Sequence, residues 1–423
     1  MVKTTCATLE VNVVNIPSRK DDKAAKCHIS ILLALLFFFQ FCCIATFAQE
    51  EDESTSQVET TSSKASKASE DEKADAPVDA KTETGAEADS NEEADDDSDL
   101  GDESFSKATD KESAESSEDD EGGNPDTDST VYDRPDGKPV VALVLGGGGG
   151  RGSGHVGVLK VLEKENIHFD MVVGTSIGSI VGGFYAAGMP VKEIEEMFLD
   201  SSLMKAFMTV SLKVRVAAAP IMITPRLIGR HPYDGLYYGN KFRKYLLKRM
   251  PQGKKKIENL PIKYAAVAVD LVSGEVVSLT RGNIGYAMQA SSAVPGLRKP
   301  VEIDGHLYVD GGISENVPVA QAKKLGADVI IAVNIDEHFK KVPMDDFRHV
   351  GAVSKRIVTL QLRNLDRPMA EQACVTIHPD VTGIGLLSTD GNDAVRGIKA
   401  GEEAAKEQLP AIKKCLRDAG IEI

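Results

Sequence analysis

The chain has 423 residues, a formal net charge of −16, 27% charged residues and no tryptophan. That average hides a division, because residues 50–130 hold 30 Asp/Glu against 6 Lys while the rest holds 43 Lys/Arg against 35 Asp/Glu. The length admits one large domain or two, and a mildly basic folded part without a nucleic-acid motif speaks against nucleic acid as a partner.

In chain order, the first feature is ISILLALLFFFQFCCIATFA (residues 29–48), which carries no formal charge. Lys23 and Lys26 precede it, and Glu50, Glu51, Asp52 and Glu53 follow. The lysines hold the N-terminal side in the cytoplasm and send the following chain across. The run is long enough to span a bilayer, and Thr46-Phe47-Ala48 closes it with small residues at signal-peptidase spacing. Residues 1–48 therefore read as a lead with a signal peptide or signal anchor. The expected locations are secreted, periplasmic, or membrane-anchored with the folded domain on the non-cytoplasmic side. Residues 49–137 are Asp/Glu-, Ser- and Thr-rich with almost no large apolar side chains, which predicts a disordered linker. Four of the six cysteines (Cys6, Cys27, Cys42, Cys43) lie in or before the apolar run. Cys374 and Cys415 either pair after export or remain free thiols. No spacing suggests a metal or cofactor.

From residue 138 the texture changes. VVALVL (residues 140–145) and MVVGT (residues 171–175) are apolar, β-branched runs expected to form buried strands. A helical period covers residues 154–163, and IGSIVGGFYAAG reads as an apolar helix ending at Gly188-Met189-Pro190. Further strands are expected at YAAVAVDL (residues 264–271), EVVSLT and DVIIAVNI (residues 328–335). VEI and HLYVD face each other across Asp304-Gly305, a hairpin signal. Helices are expected at residues 319–325 and 392–419. This alternation predicts one three-layer α/β/α domain over residues 138–423 with a mostly parallel sheet.

Three motifs carry chemistry. Gly147, Gly149 and Gly152 match GxGxxG after a strand, but Asp170 stands before the second strand instead of after it, which weakens a dinucleotide reading. A P-loop would need lysine beside Gly152, where Ser153 stands. Gly174-Thr175-Ser176-Ile177-Gly178 is a GxSxG turn between strand and helix, which lifts the Ser176 hydroxyl out of the sheet at a helix N-terminus. A serine nucleophile needs a base. His306, His338, His349 and His378 all lie away from the end of a buried strand. Asp310 ends HLYVD before Gly311-Gly312, and in a dry cleft it can accept the proton as attack develops.

With these motifs the chain resembles the patatin-like phospholipases, serine acyl hydrolases with a Ser–Asp dyad. The family's Gly-Gly-Gly-x-Arg/Lys-Gly block matches Gly147-Gly148-Gly149-Gly150-Arg151-Gly152, and the resemblance implies an oxyanion hole there. GxSxG implies Ser176 as nucleophile, flanked by Gly174, Thr175, Ile177 and Gly178; Asp-Gly-Gly implies Asp310 as base with Gly311 and Gly312 beside it. ASSAVPG (residues 290–296) and DGGISENVPV (residues 310–319) are also similar to family stretches. The implied reaction is hydrolysis of a phospholipid or other fatty-acyl ester through an acyl-Ser176 intermediate, without a cofactor. The alternative is a non-catalytic lipid- or partner-binding domain on the same fold. Arg151 either supports the loop or meets a lipid phosphate, and His155 is expected to be a packed helix residue. KFRKYLLKRMPQGKKK (residues 241–256) is cationic with interspersed Phe242, Tyr245, Leu246 and Leu247; it suits a membrane surface or a solvated helix face. N-terminal sequencing of the exported chain is expected to start at Gln49, and a start ahead of Ile29 would mark a retained anchor instead.

Overall fold

A computed structural model describes residue 132 and residues 136–210, 233–337, 341–349 and 351–422. The apolar run at 29–48, nearly all of the acidic linker, and His338 lie outside the described residues. Among the described residues eight strands form one sheet: β1 (Val141–Leu145), β2 (Met171–Thr175), β3 (Lys263–Asp270), β4 (Val276–Leu279), β5 (Val301–Ile303), β6 (His306–Asp310), β7 (Val329–Val333) and β8 (Val375–Ile377). Their order is β5-β6-β3-β2-β1-β7-β8, with β4 also paired to β3. Strands β1, β2, β3, β7 and β8 run parallel, β4 and β6 run antiparallel to β3, and β5 pairs antiparallel with β6. The expected strands are thus present, with ends moved by a residue or two where turn residues leave the ladder.

Side-chain alternation explains the layers. Val141, Leu143 and Leu145 of β1 pack into one apolar cluster, and Val140, Ala142 and Val144 into the other. The first cluster is covered by α1 (Ser153–Lys164), α2 (Ile177–Ala186), α3 (Val191–Leu199), α5 (Asn240–Arg249), α6 (Ile284–Ser291) and α9 (Gly391–Asp418). Between α3 and α5 lies the short α4 (Ser202–Phe207). The second cluster is covered by α7 (Val319–Lys324), beside which runs α8 (Ala352–Ala370). A sheet buried on both faces needs apolar residues at every position, which is why its central strands read as continuous apolar runs.

Two connections set the geometry of the site. At Asp304 and Gly305 the backbone takes φ of 50° and 82°, the left-handed pair that a tight two-residue hairpin demands, so β6 turns straight back along β5. Helices α1 and α9 touch backbone to backbone: a Cβ on Gly157 would strike the Ile398 carbonyl, and one on Gly401 the Gly154 carbonyl. That contact seats α1, and with it the Gly-rich turn at its N-terminus.

Cys374 and Cys415, left open between pairing and free thiols by their sequence positions, form a disulfide with Cα atoms 6.4 Å apart, joining the start of β8 to α9. Closing a 41-residue separation removes unfolded-chain entropy worth about 4 kcal/mol on the loop-entropy model. Cys415→Ser is expected to cost roughly 2–4 kcal/mol in denaturant unfolding. Alkylation of Cys374 and Cys415 on the native, unreduced chain would refute the bridge.

Candidate active site

Strand β3 is the rail on which the site is assembled. Thr175, the last residue of β2, pairs with Val267, and Asp310, the last residue of β6, pairs with Ala268. Because β4 takes the opposite edge of β3 at Ala266–Val269, β2 and β6 share one edge and meet nearly end to end. Ser176 follows β2 directly, so consecutive β3 residues bring together side chains that are 134 positions apart. The Ser176 Oγ donates to Asp310 Oδ2 at 2.7 Å.

Ser176 sits at φ 52°, ψ −123°, a strained conformation for a residue with a side chain. The turn is so tight that a Cβ on Gly174 would strike the Gly178 and Ser179 backbone, and one on Gly178 would strike the Leu145 and Gly146 backbone. Only glycine fits either position. Helix α2 begins at Ile177, immediately after the serine. Thr175 is anchored below the turn by its hydroxyl, which donates to the Glu315 carbonyl at 3.1 Å. The Ser176 N–H donates to Ser291 Oγ at 2.9 Å, and that hydroxyl donates to the Val267 carbonyl of β3 at 2.7 Å. Ser291 lies in the ASSAVPG stretch, where nothing in its spacing signalled this contact.

The base is held on the other side. Asp310 Oδ1 accepts the Gly312 N–H at 2.8 Å, while Gly311 opens a short 3-10 turn. Burial pushes the Asp310 carboxyl up from 3.8 to about 6; the Ser176 hydroxyl and Gly312 N–H act in the opposite direction. A raised carboxyl is a stronger base once ionised, which suits proton transfer from a serine near neutral pH.

In the Gly-rich loop the amides divide into two sets. The Gly147 N–H already has acceptors, the Asn316 carbonyl at 3.2 Å and Asn316 Oδ1 at 3.1 Å. Gly150 donates to the Leu386 carbonyl at 2.7 Å and Arg151 to the Gly148 carbonyl at 3.2 Å. The Gly148 and Gly149 N–H groups have no acceptor among the described residues, and both glycines line the same cavity as Ser176. Gly152 closes the loop against Ile177 and the start of α1.

Arg151 is tied into the loop while also lining the cavity. Its Nε donates to the Ile384 carbonyl at 2.8 Å, and its guanidinium pairs with Glu337 at 3.3 Å. His155 is fully buried in α1 and donates from Nε2 to the Gly146 carbonyl at 2.8 Å. Burial lowers its pKa to about 4, so it is a neutral brace behind the loop. The other described histidines stay off the dyad: His306 contacts Asp270 at 2.9 Å, and His378 contacts the Asp336 carbonyl at 2.8 Å.

A cavity of about 1070 Å³ opens over the dyad. One arm is apolar, with Ile180, Leu203, Phe207, Phe242 and Leu297; the other is polar, with Asn316, Asp336, Arg363 and Asp366. Phe242, Leu246 and Leu247 of α5 are buried, so that helix spends its apolar side on the core and shows solvent a cationic face. The membrane-facing option for the 241–256 cluster loses its apolar component by this packing. Asp336 and Asp366 had no motif to announce them, and Asn316 lies within DGGISENVPV without a role assigned to it there. Among the described residues no group of His, Cys, Asp or Glu could hold a metal ion.

An elbow serine hydrogen-bonded to a buried aspartate beside a Gly-rich loop, on a mostly parallel sheet, defines a class. Residues 143–323 match the family model of the patatin-like phospholipases. Among individual relatives, the chain is 35% identical over 198 residues to an NTE family protein of Mycobacterium bovis, covering 47% of this chain and 49% of that one. It is 29% identical over 290 residues to lysophospholipase nte1 of Neurospora crassa, covering 62% of this chain and 18% of that one. The chain thus spans half or less of the length of these relatives. Among solved structures, VipD from Legionella pneumophila aligns at a TM-score of 0.37 and 13% identity, over 67% of this chain and 70% of that one.

Proposed function

We propose that the chain is a serine lipid acyl hydrolase. The observation that carries this reading is the Ser176–Asp310 hydrogen bond at the floor of a cavity with an apolar arm. Ser176 Oγ attacks the ester carbonyl carbon as its proton passes to Asp310 Oδ2. The resulting oxyanion takes the two open amides, Gly148 and Gly149, each worth about 3 kcal/mol in the transition state. Collapse breaks the ester C–O bond, and Asp310 returns the proton to the departing alcohol. Water then gives a proton to Asp310 and attacks the acyl-serine, and the fatty acid leaves as Ser176 regains its proton. The apolar arm suits the acyl chain. A relative whose name is lysophospholipase supports a lipid ester as substrate class. The non-catalytic alternative leaves the strained serine and the buried carboxylate without a purpose.

On the full chain, a fluorophosphonate probe is expected to label wild type but not Ser176→Ala, with ester turnover falling roughly 1,000-fold or more. Asp310 must be ionised to accept a proton, so kcat/KM is expected to rise through about pH 6 and to be low beneath it. Absence of both labelling and turnover of a short-chain ester or phospholipid by wild type would sink the reading.

The substrate surface we infer is an anionic bilayer met by α8. Val353, Ile357 and Leu360 recur at helical spacing on this helix and are all exposed. Arg356, Arg363 and Arg367 lie on the same helix, and the latter two line the cavity. An apolar ridge flanked by arginines beside the cavity complements anionic lipid. Export is supported by the apolar run at 29–48 and by the Cys374–Cys415 disulfide, which suits an oxidising compartment. Among the described residues no helix is long and apolar enough to cross a membrane. Replacing Val353, Ile357 and Leu360 together by Ser should weaken co-sedimentation with phosphatidylglycerol vesicles about tenfold, leaving short-chain ester turnover intact. Undiminished sedimentation would overturn this surface, and loss of a dimer in the variant would assign it to a second copy.

A further inference from the structure

Two carboxyl groups in the polar arm have no part in the reaction just described. Asp336 follows β7 and Asp366 lies near the end of α8. Asp366 is buried, and its Oδ1 accepts the Asn316 N–H at 3.1 Å. Its Oδ2 is buried without a hydrogen-bond partner, and the Asp366 carboxyl interacts with that of Asp336, which lies against the same asparagine. Asn316 Nδ2 lies 3.3 Å from each Asp336 oxygen. The same asparagine accepts the Gly147 N–H with both its carbonyl and its Oδ1. Asn316 is therefore gripped by two acids on one side and grips the Gly-rich loop on the other.

Resting on the acyl-hydrolase reading, we propose that Asp336 and Asp366 share one proton and act through Asn316 as positioning residues that hold Gly147, so that the neighbouring Gly148 and Gly149 N–H groups stay open to the oxyanion. Two facing carboxylates in a dry site cannot both ionise, and a proton between them turns repulsion into an O–H···O bond. That bond satisfies the otherwise orphaned Asp366 Oδ2. Burial and the neighbouring carboxylate push Asp366 up to about 8, and burial raises Asp336 as well. The pair thus carries one negative charge at neutral pH. The groups facing it are the Arg151 guanidinium from the turn after β1, His378 after β8, and the Asn316 amide and Val317 N–H after β6. Glu337 and Arg363 line the same cavity. Arg151, also tied to Glu337, supplies favourable positive charge to Asp336.

Loss of the shared proton leaves two facing negative charges, which drive the acids apart and release Asn316. The loop then drifts, and an anion donor set displaced by even an ångström loses most of its effect. Asparagine at 366 is the informative replacement. Its Oδ1 can still accept from Asn316 and its Nδ2–H can donate to Asp336, with no proton to lose.

The test compares full-length wild type, Asp366→Asn and Asp366→Ala by fluorophosphonate labelling rate from pH 5 to 10 and by melting temperature over pH 4–9. Wild type should label along a bell, rising near pH 6 and falling above about 8. Asp366→Asn should label within about threefold of wild type at pH 7 and lose the alkaline fall, while Asp366→Ala should drop at least about tenfold at pH 7. The melting readout has a definite sign. A carboxyl whose folded pKa is raised binds its proton more tightly folded than unfolded, so wild type loses stability as pH rises from about 4 to 8. Asp366→Asn should therefore gain on wild type across that window. An alkaline fall that persists in Asp366→Asn, or wild-type labelling by Asp366→Ala, overturns the proposal. An unlabelled wild type overturns the acyl-hydrolase reading instead; the melting comparison then judges the shared proton alone, and a flat difference overturns it.

Discussion

The hydrogen bond between Ser176 and Asp310 is the constraint around which the rest of the structure is arranged. Its two ends stand 134 residues apart, and only their shared edge on β3 makes them neighbours. The arrangement has a cost. Burial raises the Asp310 carboxyl from 3.8 to about 6, so ionising it in the folded state costs about 3 kcal/mol relative to the unfolded chain. That cost develops as pH rises between those two values and is present in full above about 6, where the carboxylate is the useful form. Ser176 adds a strained backbone to the same small volume. Both features run against stability, and both are concentrated where a reaction would use them.

The compensations lie in the surrounding shell. The sheet buries both faces, the hairpin at Asp304-Gly305 aims β6, and the close α1–α9 contact seats the Gly-rich turn. Asn316 ties the segment after Asp310 to the loop that carries Gly148 and Gly149. Arg151 and His155 both brace this loop, one through the Ile384 carbonyl and the other through that of Gly146. The loop is polar and irregular but not loose, because nearly every one of its donors is engaged except the two facing the cavity.

Much of this could be read along the chain. Apolar runs such as VALVL and MVVGT can only be buried strands at that length and composition, and GTSIG at the end of one of them is a turn that tolerates few other residues. The Asp304-Gly305 hairpin was legible because its φ angles are themselves a property of those two residue types. Asp366 was not legible: it is one acid among many on a helix whose periodicity is ordinary, and its burial against Asp336 follows from how α8 crosses the loop after β7. The apolar residues of α5 were misleading for the same reason, since periodicity shows that a helix has an apolar face without showing what that face meets.

Local chemistry, then, is what the sequence by itself determined: which segments must be strands, where the backbone has to turn, and which serine and which aspartate stand at strand ends. These are short-range consequences of side-chain shape and polarity. Other pairings over long separations were decided only by the tertiary structure: Asn316 between Gly147 and two acids, Cys374 with Cys415, and the choice of Gly148 and Gly149 as the open amides, while the Ser176–Asp310 pair that the motifs suggested acquired its hydrogen bond through β3. Each depends on strand order and helix packing, and residue type alone carries no information about which distant partner will arrive.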